Sequence, residues 1–101
     1  MLNQVRAQFG KPPVEYNRRL ERAAKAHAAD MLQNGVRGHT SSNGAQLQHR
    51  IGKVGYRYCF AAENVGWGQK SMQQVMQAWM NSSGHRNNML SGKARDIGIA
   101  Q

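Results

Sequence analysis

The longest helical pattern in the sequence runs from about Glu15 to Asn34, and it constrains the fold more than any other segment. Pro12–Pro13 stand before the pattern, and proline does not continue a helix. Gly35 follows it, in the position where a left-handed cap ends many helices. Apolar and cationic side chains recur at helical spacing on opposite sides of this segment. The buried side is expected to carry Leu20, Ala24, His27 and Met31, and the solvated side Arg18, Arg22 and Lys25.

Shorter helices are predicted on both sides of this segment. Ser71 to Gln74 fits the S-x-x-Q capping box, in which a hydroxyl and an amide satisfy backbone donors at a helix start. The stretch from Tyr56 to Gly68 has no clear period and is expected to be irregular. The other predicted elements are helices over Met1–Phe9, Leu47–Val54, Ser71–Met80 and His85–Leu90 and a strand over Asp96–Gln101.

The predicted strand has no evident partner in the chain. Ile97 and Ile99 alternate with smaller or polar residues, as in a half-buried strand. A single strand leaves its backbone hydrogen-bonding groups unsatisfied. We therefore expect either pairing with another chain, as in a strand-exchanged oligomer, or a sheet whose later strands are missing.

Composition restricts the class of protein. The 101 residues, 40% of them hydrophobic, suit one globular domain. Fourteen Lys and Arg against five Asp and Glu give a net charge of +9, which favours anionic partners. Cys59 is the only cysteine, so an intrachain disulfide is excluded. No apolar run is long enough to span a bilayer, and the N-terminal residues do not resemble a signal peptide, so any export signal is expected outside this chain.

Two histidines and one glutamate are candidate site residues. His39 and His85 each follow a glycine in a Gly- and Ser-rich break, which can present the side chain to a cleft. Glu63 lies in an apolar, uncharged stretch, where a carboxylate needs a strong partner or takes a raised pKa. Two imidazoles and one carboxylate could hold a divalent ion with one position open. By contrast, His27 is predicted to be a core residue and His49 to face solvent.

Six short motifs follow one another along nearly the whole chain. They are Asn3-x-x-Arg6, Leu20 to Met31, Gly38-His39, Arg50-Ile51 with Gly55-Tyr56, Ala62-Glu63-Asn64-Val65, and Trp79 to Leu90 with its Ser82-x-Gly84-His85-Arg86-x-Asn88 centre. Their order and register resemble the CAP superfamily (cysteine-rich secretory proteins, antigen 5 and pathogenesis-related proteins). The resemblance is to its disulfide-free bacterial SCP-like extracellular branch in particular.

The resemblance implies an α+β fold, a CAP-type α-β-α sandwich with an open cavity and a small antiparallel sheet. Residues 1–101 would form one such domain, mostly helical because the chain is expected to stop before the later strands. Some family members carry a divalent metal such as Zn²⁺ in the cavity, and others bind sterols or fatty acids. Thr40–Gly44 lacks the acid that often follows the first cavity histidine in eukaryotic members. Carried over to this chain, the cavity residues are His39, Glu63 and His85, with Asn64, Arg86 and Asn88 in support.

Three functions follow as expectations. The first is an extracellular or periplasmic binding module whose cavity takes a divalent cation, a small hydrophobic ligand or an anionic envelope component. The second is a metal-dependent hydrolase with Glu63 as general base toward a metal-bound water. The third is nucleic-acid binding through the cationic helix face, although no recognised binding motif accompanies it.

Overall fold

The computed structural model describes residues 2–58 and 60–100, which fold around one long helix. The predicted start of the first helix at Met1 and the predicted end of the last strand at Gln101 lie outside the described residues. Within them no helix is both long enough and apolar enough to cross a membrane. The elements in chain order are α1 (Leu2–Gln8), β1 (Glu15–Tyr16), α2 (Arg18–Asn34), α3 (Leu47–Lys53), α4 (Met72–Met80), α5 (Ser83–Met89) and β2 (Asp96–Ile97).

The long helix α2 begins later than its sequence pattern suggests. The expected start at Glu15 is wrong, because Glu15–Tyr16 is strand β1. Asn17 has extended backbone angles, and its side chain accepts hydrogen bonds from the N–H groups of Arg19 and Leu20. That cap satisfies two donors of the first helical turn and sets the helix start. Gly35, at φ +67°, ends the helix in the left-handed conformation, as predicted.

The final strand pairs within its own chain. Asp96 lies opposite Glu15, and Ile97 lies opposite Tyr16, in a parallel pair. The expectation that this strand has no partner in the chain is therefore wrong, and the pairing is parallel where the resemblance implies an antiparallel sheet. The backbone after β2 passes close over α2, since a Cβ atom on Gly98 would lie 2.1 Å from the Leu20 carbonyl carbon. Only a glycine fits at that crossing.

The shorter helices lie close to their predicted positions, except that α5 begins at Ser83, two residues before the predicted start at His85. Gly84 is therefore helical, and the expectation that His85 follows a glycine in an irregular break is wrong. Residues 56–58 and 60–68 contain no regular element, as expected. At α4, the Ser71 hydroxyl accepts from the Gln74 N–H at 3.2 Å, which is half of the predicted capping box. The Gln74 amide oxygen instead accepts from the Lys70 N–H at 2.9 Å. The bond to the Gln74 side chain therefore comes from Lys70, one residue before the Ser71 that the motif specifies. It still satisfies a backbone N–H group ahead of the helix.

The N-terminal motif joins α1 to the rest of the molecule. The Asn3 amide donates to the Val14 carbonyl at 3.0 Å and accepts from the Val14 N–H at 2.8 Å. Arg6 is fully buried and donates to the carbonyls of Pro12, Met89 and Ser91 at 2.8, 2.9 and 3.0 Å. A buried guanidinium is stable there because several carbonyl oxygens replace its water. The apolar core beside it consists of Val14, Ala23, Met31, Ile51, Met76 and Met89.

Tyr56 holds the end of the chain through Asp96. Its hydroxyl donates to the Asp96 carboxylate at 2.5 Å. This hydrogen bond, together with burial and the carboxylate charge, raises the pKa of Tyr56 to about 12. The neutral phenol is thus favoured in the folded state. The Tyr56–Asp96 hydrogen bond stabilises the fold fully below the ordinary tyrosine pKa near 10. This stabilisation is lost as the pH rises through about 12.

We predict that Tyr56→Phe lowers the stability at neutral pH by about 1 kcal/mol, because a hydrogen bond to a charged acceptor is lost. The wild-type protein should lose stability between pH 10 and 12 more steeply than Tyr56→Phe does. Urea denaturation followed by circular dichroism at several pH values measures both effects. Tyr58→Phe, at an exposed tyrosine, is the control. Equal pH dependence in the wild type and Tyr56→Phe would contradict the assignment.

Candidate functional site

The loop that carries His39 is attached to α2 by a buried histidine. His27 is 3% exposed, which confirms that it is a core residue. Its Nε2 lies 2.7 Å from the Gly38 carbonyl oxygen and can only donate to it, so Nε2 carries the proton. The Ser41 hydroxyl approaches the other ring nitrogen, Nδ1, at 3.4 Å. His27 therefore contacts the loop on both sides of His39, at the Gly38 backbone and at the Ser41 side chain.

Asp30 supplies a second attachment between α2 and the same loop. Its carboxylate accepts from the Ser42 N–H at 2.7 Å and from the Ser42 hydroxyl at 2.6 Å. These two bonds, with a third from the Asn34 amide, lower the pKa of Asp30 below its usual value. The anion at this position is thus used to fix the loop between residues 38 and 44.

Arg50 is the central donor of the site. It is 8% exposed and lies on α3, where the short helix aims it beneath the loop. Its Nη1 donates to the His39 carbonyl at 2.6 Å and to the Ser41 hydroxyl at 3.2 Å. Its Nη2 lies 2.6 Å from each oxygen of the Glu63 carboxylate. One guanidinium thereby connects α3, the His39 loop and the irregular segment that contains Glu63.

Glu63 orients His39 as well. The His39 Nδ1 lies 2.8 Å from Glu63 Oε1, so Nδ1 donates to the carboxylate. His39 is 56% exposed, whereas Glu63 is 16% exposed. The carboxylate is thus shared between a buried guanidinium and an accessible imidazole. A histidine held this way presents its Nε2 as the free coordinating or hydrogen-bonding atom.

His85 is positioned by the turn between α4 and α5. Its Nδ1 lies 2.9 Å from the Ser82 hydroxyl, and its ring stacks on Trp79 with centroids 6.2 Å apart. Trp79 is itself fixed by a hydrogen bond of 3.1 Å from its indole N–H to the Val65 carbonyl. Gly66 packs against the Trp79 side chain, so a Cβ atom there would lie 3.5 Å from the indole nitrogen.

His39 and His85 line the same cleft, which has a volume of about 340 Å³. The lining combines apolar and aromatic side chains with polar ones, and the His85 ring stacks on Trp79 within it. Glu63 does not line the cleft and instead lies behind His39. The lining residues are Gly38, His39, Val65, Gly66, Trp67, Gln69, Ala78, Trp79, Ser82 and His85.

The three supporting residues occupy different places. Asn64 donates to the His85 carbonyl at 3.1 Å and accepts from the Asn88 amide at 2.9 Å. Asn88 also approaches the Glu63 carbonyl at 3.3 Å. The two asparagines thus connect α5 to the Glu63 segment. Arg86 is exposed, and its guanidinium lies 3.4 Å from the Met80 carbonyl, away from the cleft lining.

Several residues of the site were not found by sequence reasoning. Arg50 is predicted only as part of a motif. Its neighbours in the sequence give no sign that it would meet Glu63. The sequence indicates that Met and aromatic side chains could form apolar cavity walls, but it does not single out Trp67 and Trp79. Their aromatic character was the available signal, but Trp79 also fits an ordinary apolar helix stripe. His49 is exposed as predicted, and it accepts from the Gln46 N–H at 3.1 Å at the start of α3.

The donor set fits a divalent cation only in part. Within residues 2–58 and 60–100, no group of three or more His, Cys, Asp or Glu side chains is placed to hold a metal ion. Both oxygens of Glu63 accept from Arg50, which leaves the carboxylate as an orienting partner of His39. Of the three predicted ligands, His39 and His85 line the cleft and Glu63 does not.

The chain matches a known family over its whole length. The model of the Cysteine-rich secretory protein family, CAP, matches residues 1–101. The chain belongs to this family. The CAP domain is 32% identical over 98% of its length to the uncharacterized protein YkwD of Bacillus subtilis, and it spans 38% of that protein. It is 24% identical over 98% of its length to the uncharacterized membrane protein YlbC of the same organism, and it spans 29% of that protein.

Solved structures confirm the CAP fold. An extracellular protein containing an SCP domain from Bacillus anthracis aligns with 99% of this CAP domain and 34% of its own chain, with a TM-score of 0.90 and 24% identity. An outer surface protein of Borrelia burgdorferi aligns with 96% of the domain and 71% of its own chain, with a TM-score of 0.81 and 24% identity. The predicted α+β, mostly helical fold is therefore correct.

We predict that the Arg50–Glu63 pair stabilises this CAP domain. Arg50→Met should lower the free energy of unfolding by about 3 kcal/mol, because it leaves a largely buried carboxylate with the exposed His39 as its remaining partner. Glu63→Gln should have a similar effect through the unpaired guanidinium. The double variant should lose about 2 kcal/mol less than the sum of the two. Urea denaturation of the four proteins measures the coupling, and Arg22→Met, at an exposed arginine, is the control. Additive losses would contradict the pairing.

Proposed function

We propose that this CAP domain is a non-catalytic binding module that acts outside the bacterial cytoplasm. Its ligand is a small amphiphile of the cell envelope, bound in the cleft between His39 and His85. The main support for this proposal is a cleft lined by aromatic side chains, next to a carboxylate that Arg50 already neutralises. The extracellular setting is supported by two of the solved neighbours, which are described as an extracellular protein and an outer surface protein.

The cleft suits an amphiphile because its lining combines apolar and polar side chains. Trp67, Trp79 and Val65 can cover an apolar chain, and burial of apolar area contributes roughly 25 cal/mol per Å². The imidazoles of His39 and His85, whose Nδ1 atoms are engaged, can meet a polar or anionic head group through Nε2. A small number of placed polar groups in an apolar pocket is the usual composition of a ligand site.

Hydrolysis receives less support from the same geometry. A general base needs a carboxylate oxygen that can accept a proton from water. Both oxygens of Glu63 accept from Arg50 Nη2 at 2.6 Å, and one also accepts from His39. Both carboxylate oxygens are thus already engaged by donors, and Glu63 does not line the cleft. The carboxylate is therefore better suited to hold His39 in place than to activate water.

A divalent cation such as Zn²⁺ fits this proposal as a companion of the ligand. The Nε2 atoms of His39 and His85 would hold it, and Glu63 would orient the His39 ring. When bound, the cation would supply positive charge for an anionic head group. Water or the ligand itself would complete the coordination, because two histidines leave positions open.

We predict that decanoate binds the cleft and changes the intrinsic fluorescence of Trp67 and Trp79. Trp67→Ala should weaken binding about tenfold, because it removes a large part of the apolar wall. Phe60→Ala, at an exposed aromatic outside the cleft, is the matched control and should bind normally. Decanol, which lacks the carboxylate, should bind less tightly than decanoate. Equal affinities of Trp67→Ala and Phe60→Ala would contradict binding in this cleft.

The zinc prediction uses calorimetric titration of the wild type and of single histidine variants. His39→Ala and His85→Ala should each lower the affinity for Zn²⁺ by about tenfold or more, since each removes one of two ligands. His49→Gln, at an exposed histidine outside the cleft, should leave the affinity unchanged. Unchanged affinity in both cleft variants would contradict the metal assignment alone. Ester hydrolysis by the zinc-loaded wild type above that of His39→Ala would contradict the non-catalytic proposal.

A further inference from the structure

A second, larger groove on the molecule is lined by cationic side chains. Its volume is about 500 Å³, and it shares no lining residue with the histidine cleft. The groove lies where the start of α2 meets the chain that follows α3. Its lining residues are Asn17, Arg18, Arg19, Gly55, Tyr56 and Arg57.

The three groove arginines keep their positive charge available. Arg18, Arg19 and Arg57 are all exposed, and the lining contains no acidic residue. Arg19 donates to the Gly55 carbonyl at 3.0 Å, which fixes its guanidinium across the groove while other N–H groups stay free. Among the described residues the ion pairs involve Glu63 alone, so none of these arginines is neutralised by a carboxylate.

The neutral groups of the groove are already engaged. The N–H groups of Arg19 and Leu20 donate to the Asn17 side chain, which occupies two donors of the helix start. The Tyr56 hydroxyl donates to Asp96, whose charge therefore lies behind the groove and partly offsets the cations. The three guanidinium groups are therefore the groups of the groove that can bind a ligand. Their positive charge exceeds the single negative charge of Asp96 behind Tyr56.

We infer that this groove binds a phosphate-bearing polyanion of the bacterial envelope. Guanidinium groups match phosphate oxygens through paired N–H donors, and an open groove with several of them suits successive phosphates along a chain. The net charge of +9 draws such a chain to the molecule. Only the choice of an envelope polymer over nucleic acid rests on the extracellular setting in the proposed function.

The test measures binding of fluorescently labelled poly(glycerol phosphate) by anisotropy at physiological salt. Arg18→Gln/Arg57→Gln should weaken binding roughly tenfold, since two exposed charge contacts are lost. Lys11→Gln/Lys25→Gln removes the same charge at exposed positions outside the groove and should change binding little, because screening limits its reach. Arg18→Lys/Arg57→Lys keeps the charge but loses the paired donors, so an intermediate affinity is expected. Thermal melting by circular dichroism verifies that each variant is folded.

Several results would overturn the inference. Equal weakening in the groove variant and the lysine control would assign the binding to net charge. Equal affinity for polyglutamate would remove the preference for phosphate, and displacement by an equal concentration of inorganic phosphate would assign free phosphate as the ligand. Tighter binding of single-stranded DNA, or of vesicles with anionic phospholipid, through the same arginines would replace the envelope polymer. Normal decanoate binding in the groove variant separates this outcome from a failure of the cleft.

Discussion

The rest of the site depends on the charge pair between Arg50 and Glu63. Its two members come from α3 and from an irregular segment, and the pair fixes both of these to the His39 loop. The guanidinium also donates to the His39 carbonyl, so one cation sets the position of the loop, the carboxylate and the histidine together. A largely buried pair of this kind costs desolvation, which is offset here by further hydrogen bonds from Arg50 Nη1 to the His39 loop and from His39 to Glu63.

That pair also determines which ionisable groups of the site line the cleft. The carboxylate is held between Arg50 and His39, which removes it from the cleft surface and leaves the imidazoles there. The two histidines then line the cleft together with Trp67 and Trp79. Elsewhere in the described part of the chain, acidic side chains are engaged mainly with neutral partners: Tyr16 donates to Glu21, Tyr56 to Asp96, and Ser42 to Asp30. The arginines of the second groove consequently keep their charge for a ligand.

Local patterns predicted much of the secondary structure for direct physical reasons. Gly35 ends α2 because a left-handed conformation costs glycine little, and the Ser71 hydroxyl caps α4 because it reaches the Gln74 N–H. The start of α2 was missed, because Glu15 and Tyr16 carry no signal that they would pair with Asp96 and Ile97. That pairing joins segments near opposite ends of the chain, and strand partners at such a distance are decided by tertiary packing rather than by propensity.

By itself, the sequence determined most of the helices, the caps at Gly35 and Ser71, the charge surplus and the order of motifs that carries the family resemblance, because each of these depends on neighbours within a few residues. Only the tertiary structure decided that Glu63 turns away from the cleft to meet Arg50, that His39 and His85 share one cavity, and that three arginines line another. Those placements depend on contacts between segments far apart in the chain. Short-range spacing contains no information about such distances, so they emerge only when the chain has folded.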